Sequence, residues 1–143
     1  MKILHLISGG DTGGAKTHIY TLLKGLEEYS DVSMVCFTPG PFLDGARALG
    51  IDARLVEQQN RFDMGALKEV VAMIRREKFD LVHCHGARAN FNALYLRRRV
   101  EIPMVTTLHS DYLLDFKDNF IKDKVFTPLN RYALKRFPYY IAI

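Results

Sequence analysis

Residues 1–18, MKILHLISGGDTGGAKTH, place a short apolar run, two Gly-Gly pairs and a helix start in immediate succession, an order that few folds accept. The run from Lys2 to Ile7 is far too short to cross a membrane. With Val32–Phe37 and later runs it reads as a strand buried on both faces, which points to a parallel sheet. Gly9, Gly10, Gly13 and Gly14 let the backbone turn sharply and approach a ligand, because no Cβ intervenes and positive φ costs little. Ile19, Leu22, Leu23 and Leu26 then share one helical face. The free N–H groups and the positive dipole end of that helix point back at the loop, so a phosphate or diphosphate fits there.

Spacing separates this loop from two well-known ones. The dinucleotide fingerprint G-x-G-x-x-G needs two glycines one residue apart, which the loop lacks, and no acid closes the second strand at Phe37-Thr38. That argues against NAD. Gly10 to Thr17 matches G-x-x-x-x-G-K-[ST] except that Ala15 replaces the last glycine. Its magnesium-binding Asp should close an apolar strand, whereas Asp80 opens one, and that argues against an NTPase. A tight turn alone would account for one glycine pair; two pairs favour a ligand.

A chain of 143 residues, 48% hydrophobic and 25% charged, is expected to bury one core as one domain. The net charge of +4 suits an anionic ligand or a membrane surface and is small for a dedicated nucleic-acid binder. Arg97-Arg98-Arg99 falls where a helix begun near Ala87 should end. A solvated helix terminus is the plain reading of that run, with a lipid or phosphate patch as the alternative. Cys36 and Cys84 both lie in expected strands and form neither a disulfide framework nor a metal knuckle. They read as reduced core residues of a cytoplasmic protein. The amino terminus is no signal peptide and no run approaches ~18 apolar residues, which leaves peripheral contact with a membrane face open.

Further along, Pro39-Gly40-Pro41 precedes a short helix through Arg47 that ends at Gly50, and Asp52–Glu57 forms a third strand. Met64, Leu67, Val70, Val71 and Ile74 predict a helix over 64–78, capped by Asp63. Leu81–His85 is a fourth strand closing at Gly86, followed by a helix over about 87–98 and a fifth strand, Pro103–His109. Thr127-Pro128 reads as N-cap and N1 of a last helix to about Arg136, and Tyr139–Ile143 as a sixth strand. Segment 111–126 interleaves charges with apolar residues and is either a packed irregular helix or a flap. Strands alternating with helices predict a Rossmann-like, three-layer α/β/α domain with a parallel sheet in the order 3-2-1-4-5-6. Its ligand crevice should lie at the carboxyl ends of the strands, between the first and fourth. The abrupt apolar ending at Ile143 suggests a domain cut from a longer protein.

Several histidines stand at or near that crevice. His83 and His85 share one sheet face, and His109 with Asp111 could complete a hydrolytic zinc site. Against this, His83 lies deeper in its strand, where a buried neutral histidine bonded to backbone is the commoner outcome, so no metal is expected. His109, ending its strand beside the crevice, is the strongest single candidate to orient a hydroxyl or share developing charge. His5 reads as core. His18, in the first helical turn, faces the crevice or solvent.

The succession of the Lys2–Ser8 strand, GGDTGGAKTHIYTLLKGL, FDLVHCHG, PMVTTLHSD and RYALKRFPYYIAI resembles the N-terminal, acceptor-side domain of family 4 (group 1) glycosyltransferases with the GT-B fold. The resemblance spans essentially all 143 residues. It implies that residues 1–143 are one of two Rossmann-like domains facing each other across a cleft, and that the C-terminal nucleotide-sugar-binding domain is absent from this chain. It further implies a retaining, metal-independent hexosyl transfer from a nucleotide sugar, a substrate and not a cofactor, to a sugar or lipid-linked acceptor in cell-envelope glycan synthesis. By likeness Gly13 and Gly14 would lie near the donor diphosphate and His109 near the transferred sugar. Gly10, Lys16, His18, His85 and Asp111 would line the cleft. Lys16 departs from the acidic residue common after Gly-Gly-Ala in the family. On this reading the fragment alone is inactive, and its exposed cleft face self-associates weakly. The alternative is a free-standing module that binds a phosphorylated ligand or a partner protein.

Overall fold

A computed structural model describes residues 1–10, 14–108 and 120–143. Strands and helices alternate as β1 (Lys2–Ile7), α1 (Gly14–Leu26), β2 (Asp31–Cys36), α2 (Pro41–Ala48), β3 (Asp52–Leu55), α3 (Met64–Glu77), β4 (Leu81–His85), α4 (Gly86–Leu96), β5 (Met104–Leu108), α5 (Phe120–Leu134) and β6 (Tyr139–Ala142). The strands pair in parallel in the order β3-β2-β1-β4-β5-β6, as the alternation predicts.

Apolar residues run along the strands because helices cover the sheet on both sides. Leu4, Leu6, Val82 and Cys84 pack with Val70 and Ile74 of α3 and Leu96 of α4. The alternate positions Ile7, Met34 and Cys36 pack with Ile19 and Leu23 of α1 and Phe42 of α2. Helix α5 lies along α4. Local signals place most boundaries. The Asp63 carboxylate accepts the Gly65 and Ala66 N–H groups at 3.0 and 3.3 Å at the start of α3. Lys78, left-handed at φ 56°, closes that helix. Gly50 follows α2 at φ 76°, as a residue just past a helix end should.

The last helix departs from its sequence signal. It begins at Phe120, not at Thr127, and carries Pro128 inside it. A proline forfeits one backbone hydrogen bond, and packing along α4 keeps the turns on either side helical, so tertiary contact overrides the local start signal. Residues 120–126 of the ambiguous segment are therefore helical; 111–119 lie outside the described residues.

Candidate functional site

β1 and β4 are neighbours with Ile7 beside His85, and the chain leaves them toward opposite faces, into α1 and α4. Their carboxyl ends therefore flank the crevice that an open α/β sheet offers to ligands. Ser8 pins the loop after β1 to the end of β2. Its carbonyl accepts the Thr38 hydroxyl at 2.8 Å and the Thr38 and Phe37 N–H groups at 2.9 and 3.1 Å. Gly9 follows at φ +95°, and a Cβ there would stand 2.7 Å from the Thr38 carbonyl oxygen. That glycine serves the turn. Gly10 and Gly14 are different: among the described residues nothing lies within 4 Å of where their Cβ atoms would be. Gly14 opens α1, which has no acidic residue in its first turn to occupy the amino-end amides. Gly13 lies outside the described residues, as do His109 and Asp111.

Lys16 and His18 are both half-buried on the first turns of α1. The Lys16 ammonium lies 5.6 Å above the Tyr20 ring, further along the helix. A second helix start reaches the same end of the sheet, at the His85-Gly86 pair that closes the fourth strand. Gly86 has φ +80° and opens α4, and His85 at its N-cap makes no side-chain capping bond. A His-Gly pair before a helix, with no Ser, Thr, Asp or Asn to cap it, was the available signal.

The histidines form a buried stack. His5 is fully enclosed, as a core reading requires, and lies beside His83 in register. His5 Nδ1 and His85 Nε2 share a hydrogen bond at 3.0 Å. The His83 and His85 rings stack at 4.2 Å between centroids. His85 thus sits at the strand end with its ring enclosed against His5 and His83, 2% exposed, not open to the crevice. His83 is buried, as expected, and shares a hydrogen bond with the Thr107 hydroxyl at 2.7 Å. Thr107 pairs with His85 in register and points to the same face, within diagonal reach of His83. Burial, with His83 adding, holds the His5 imidazolium down to about 3, so His5 is neutral at ordinary pH.

The ring nitrogens of His5, His83 and His85 lie within 4.8 Å of one another, which raises the question of a metal. His5 Nδ1 and His85 Nε2 are already engaged with each other and His83 Nε2 with the Thr107 hydroxyl, so these nitrogens serve hydrogen bonds within the fold. Burial pushes the neighbouring Cys84 thiol up, so it stays protonated. Thr106 donates to Asn90 at 2.7 Å and Asn90 to Asn130 at 3.3 Å, tying α4 to β5 and α5.

The sequence pattern of Glycosyltransferase Family 4 matches residues 12–143. The chain belongs to this family. Among solved structures it is similar to HepE from Anabaena in complex with UDP-glucose, at 20% identity and a TM-score of 0.75, over 96% of this chain and 35% of that one. It is similar to MurG from Acinetobacter baumannii at 15% identity and a TM-score of 0.70, over 99% of this chain and 41% of that one. The lipopolysaccharide outer core galactosyltransferase WaaB matches at 18% identity and a TM-score of 0.58, over 74% of this chain and 32% of that one. The chain spans well under half the length of each, and the shared fold is that of GT-B glycosyltransferases. A comparison with curated proteins finds no match. Among the described residues no helix is long and apolar enough to cross a membrane.

Proposed function

We propose that this chain is the acceptor-side half of a two-domain glycosyltransferase, which transfers a hexose from a nucleotide sugar to a sugar or lipid-linked acceptor above the carboxyl ends of β1, β4 and β5. The observation that carries this reading is the space that the described residues leave open at Gly10 and Gly14 over the start of α1, beside the start of α4, which has no side-chain capping bond from His85. Two helix amino termini at a switch point suit a group that gathers negative charge as it departs, as a diphosphate does. Family membership supports the reaction class, and HepE, which holds UDP-glucose, supports the donor class.

In this mechanism Gly13, Gly14 and the first amides of α1 steady the donor diphosphate. They do so without a divalent cation, because helix-terminal N–H groups and the dipole supply the positive potential. His109 directly follows Leu108, the last residue of β5, and assists transfer with retention of configuration at the anomeric carbon. The chain alone is inactive, since a second domain supplies the rest of the donor site. The work is done in the cytoplasm, at the membrane face where envelope glycans are assembled.

Calorimetry tests the half-site. UDP should bind this chain alone with a Kd near millimolar and the full-length protein near micromolar, a gap of roughly 4 kcal/mol. Micromolar binding by the chain alone would instead identify a self-contained module. For the chemistry, a chelator should leave the transfer rate unchanged, and NMR of the first-formed product should show the anomeric configuration of the donor.

A further inference from the structure

The α3, α4 and α5 side of the molecule carries a feature that sugar transfer does not use. Arg97, Arg98 and Arg99 follow α4, Lys68 and Arg75 lie two turns apart on α3, and Arg136 follows α5. With Arg61 they line two adjoining concavities of about 500 and 350 Å³, which share Tyr95 and Arg99. Seven of the chain's 20 lysines and arginines are thus gathered on one face of a protein whose net charge is only +4. No carboxylate lines either concavity among the described residues.

Four of these cations, Arg75, Arg97, Arg99 and Arg136, are held in place by carbonyls and rings. Arg75 donates to the Arg99 carbonyl and Arg97 to the Arg136 carbonyl. The Arg99 and Arg136 guanidinium groups each lie 3.5 Å over a ring, Tyr95 and Tyr132 respectively. Carbonyls and rings orient a guanidinium and leave its charge available. Large apolar side chains project at the same rim: Phe62 is 63% exposed, Met64 44% and Tyr132 46%. Phe62 is fixed there. Its N–H donates to Asn60 Oδ1 at 2.9 Å, and its ring meets Phe91 edge-on at 5.6 Å.

We propose that this face docks on the surface of an anionic bilayer. Arginine and lysine pair with lipid phosphates at the headgroup level, and aromatic and thioether side chains enter the boundary just beneath. A small phosphate ligand would satisfy the charges and leave Phe62 and Met64 in water. The docking stands on the face alone; in the transferase proposed above it would hold the enzyme beside a lipid-linked acceptor.

Vesicle co-sedimentation of the full-length protein tests it, with phosphatidylcholine alone or with phosphatidylglycerol as roughly a third of the lipid. Binding should require phosphatidylglycerol and weaken with salt. Arg97→Gln/Arg98→Gln/Arg99→Gln should lower the partition coefficient about a hundredfold, at about fivefold per charge. Phe62→Ser/Met64→Ser should remove the binding that survives high salt. Lys24→Gln/Arg47→Gln, on α1 and α2, should leave binding as it is. Circular dichroism checks each fold, and Lys68→Gln/Arg75→Gln, altering exposed positions on α3, replaces any variant that fails it. Equal binding to both vesicles, no binding to either, or tighter binding to a DNA duplex lost with the same arginines would overturn the docking. UDP binding on the same samples separates the two proposals, since neither set of substitutions touches the crevice.

Discussion

At the amino ends of the strands the polar side chains are tied to one another; at the carboxyl ends two helices begin beside space that the described residues leave open. Lys2 donates its N–H to Asp80 at 2.7 Å where β1 and β4 begin. Arg54 bridges Asp52 at 2.7 Å and Glu77 at 2.6 Å, and Ser33 donates to Asp52 at 2.7 Å. Arg54 above all, with Arg76 and Lys2, draws the Glu77 carboxyl down to about 2. At the other end, nothing among the described residues lies near Gly10 and Gly14, and α4 starts without a side-chain cap from His85. An end whose groups are satisfied internally serves the fold, and an end that leaves donors unmatched can take a ligand. The contrast can be broken by experiment.

The largest effect belongs to the carboxyl end. His109→Ala in the full-length enzyme should lower kcat/KM by roughly 10²–10⁴ while shifting stability by about 1 kcal/mol or less. A wild-type rate would remove His109 from the mechanism. Within the glycine loop, Gly9→Ala should destabilise the fold by about 2–4 kcal/mol in urea titration, because a Cβ at φ +95° meets the Thr38 carbonyl. Gly14→Ala should change stability by less than about 1 kcal/mol and weaken UDP binding. Equal losses of stability at the two positions would erase the distinction between pinned and open glycines.

Acid should probe the middle and the closed end in different windows. His5 titrates near 3 in the folded protein and near 6.5 when unfolded, so below pH 6.5 the unfolded chain binds the extra proton. Its contribution is complete above about pH 6.5 and fades as pH falls toward 3, by at most ~1.4 kcal/mol per unit. His5→Gln should flatten that slope whatever it does at pH 7. Glu77 is a depressed carboxyl, so its contribution is present above about pH 4.5 and is lost as pH falls through about 2. Glu77→Gln should lower stability at pH 7 by about 1 kcal/mol. A pH slope between 6.5 and 5 that Glu77→Gln removes and His5→Gln leaves intact would reverse the assignment.

Much of the architecture was legible along the chain. Runs such as Ile3–Ile7 and Val82–Cys84 lie buried in a parallel sheet, and Asp63 and Gly50 mark helix ends with groups that act within a turn. The start of α5 was not legible, because Thr127-Pro128 carries a strong local signal that the packing of α5 on α4 outweighs. The glycines of the loop look alike in sequence, yet Gly9 is held by Thr38, a contact 29 residues away along the chain.

The sequence by itself determined the alternation of strand and helix, and with it the parallel sheet, the strand order and the end of the sheet where a ligand can bind, because each rests on periodicity and caps spanning a few residues. Only the tertiary structure decided that His5 bonds His85 across 80 residues, that His83 bonds a threonine hydroxyl, and that arginines on α3 and just past the ends of α4 and α5 meet on one face. Those contacts depend on strand register and helix packing. Register and packing are set by the core as a whole, and no local pattern encodes them.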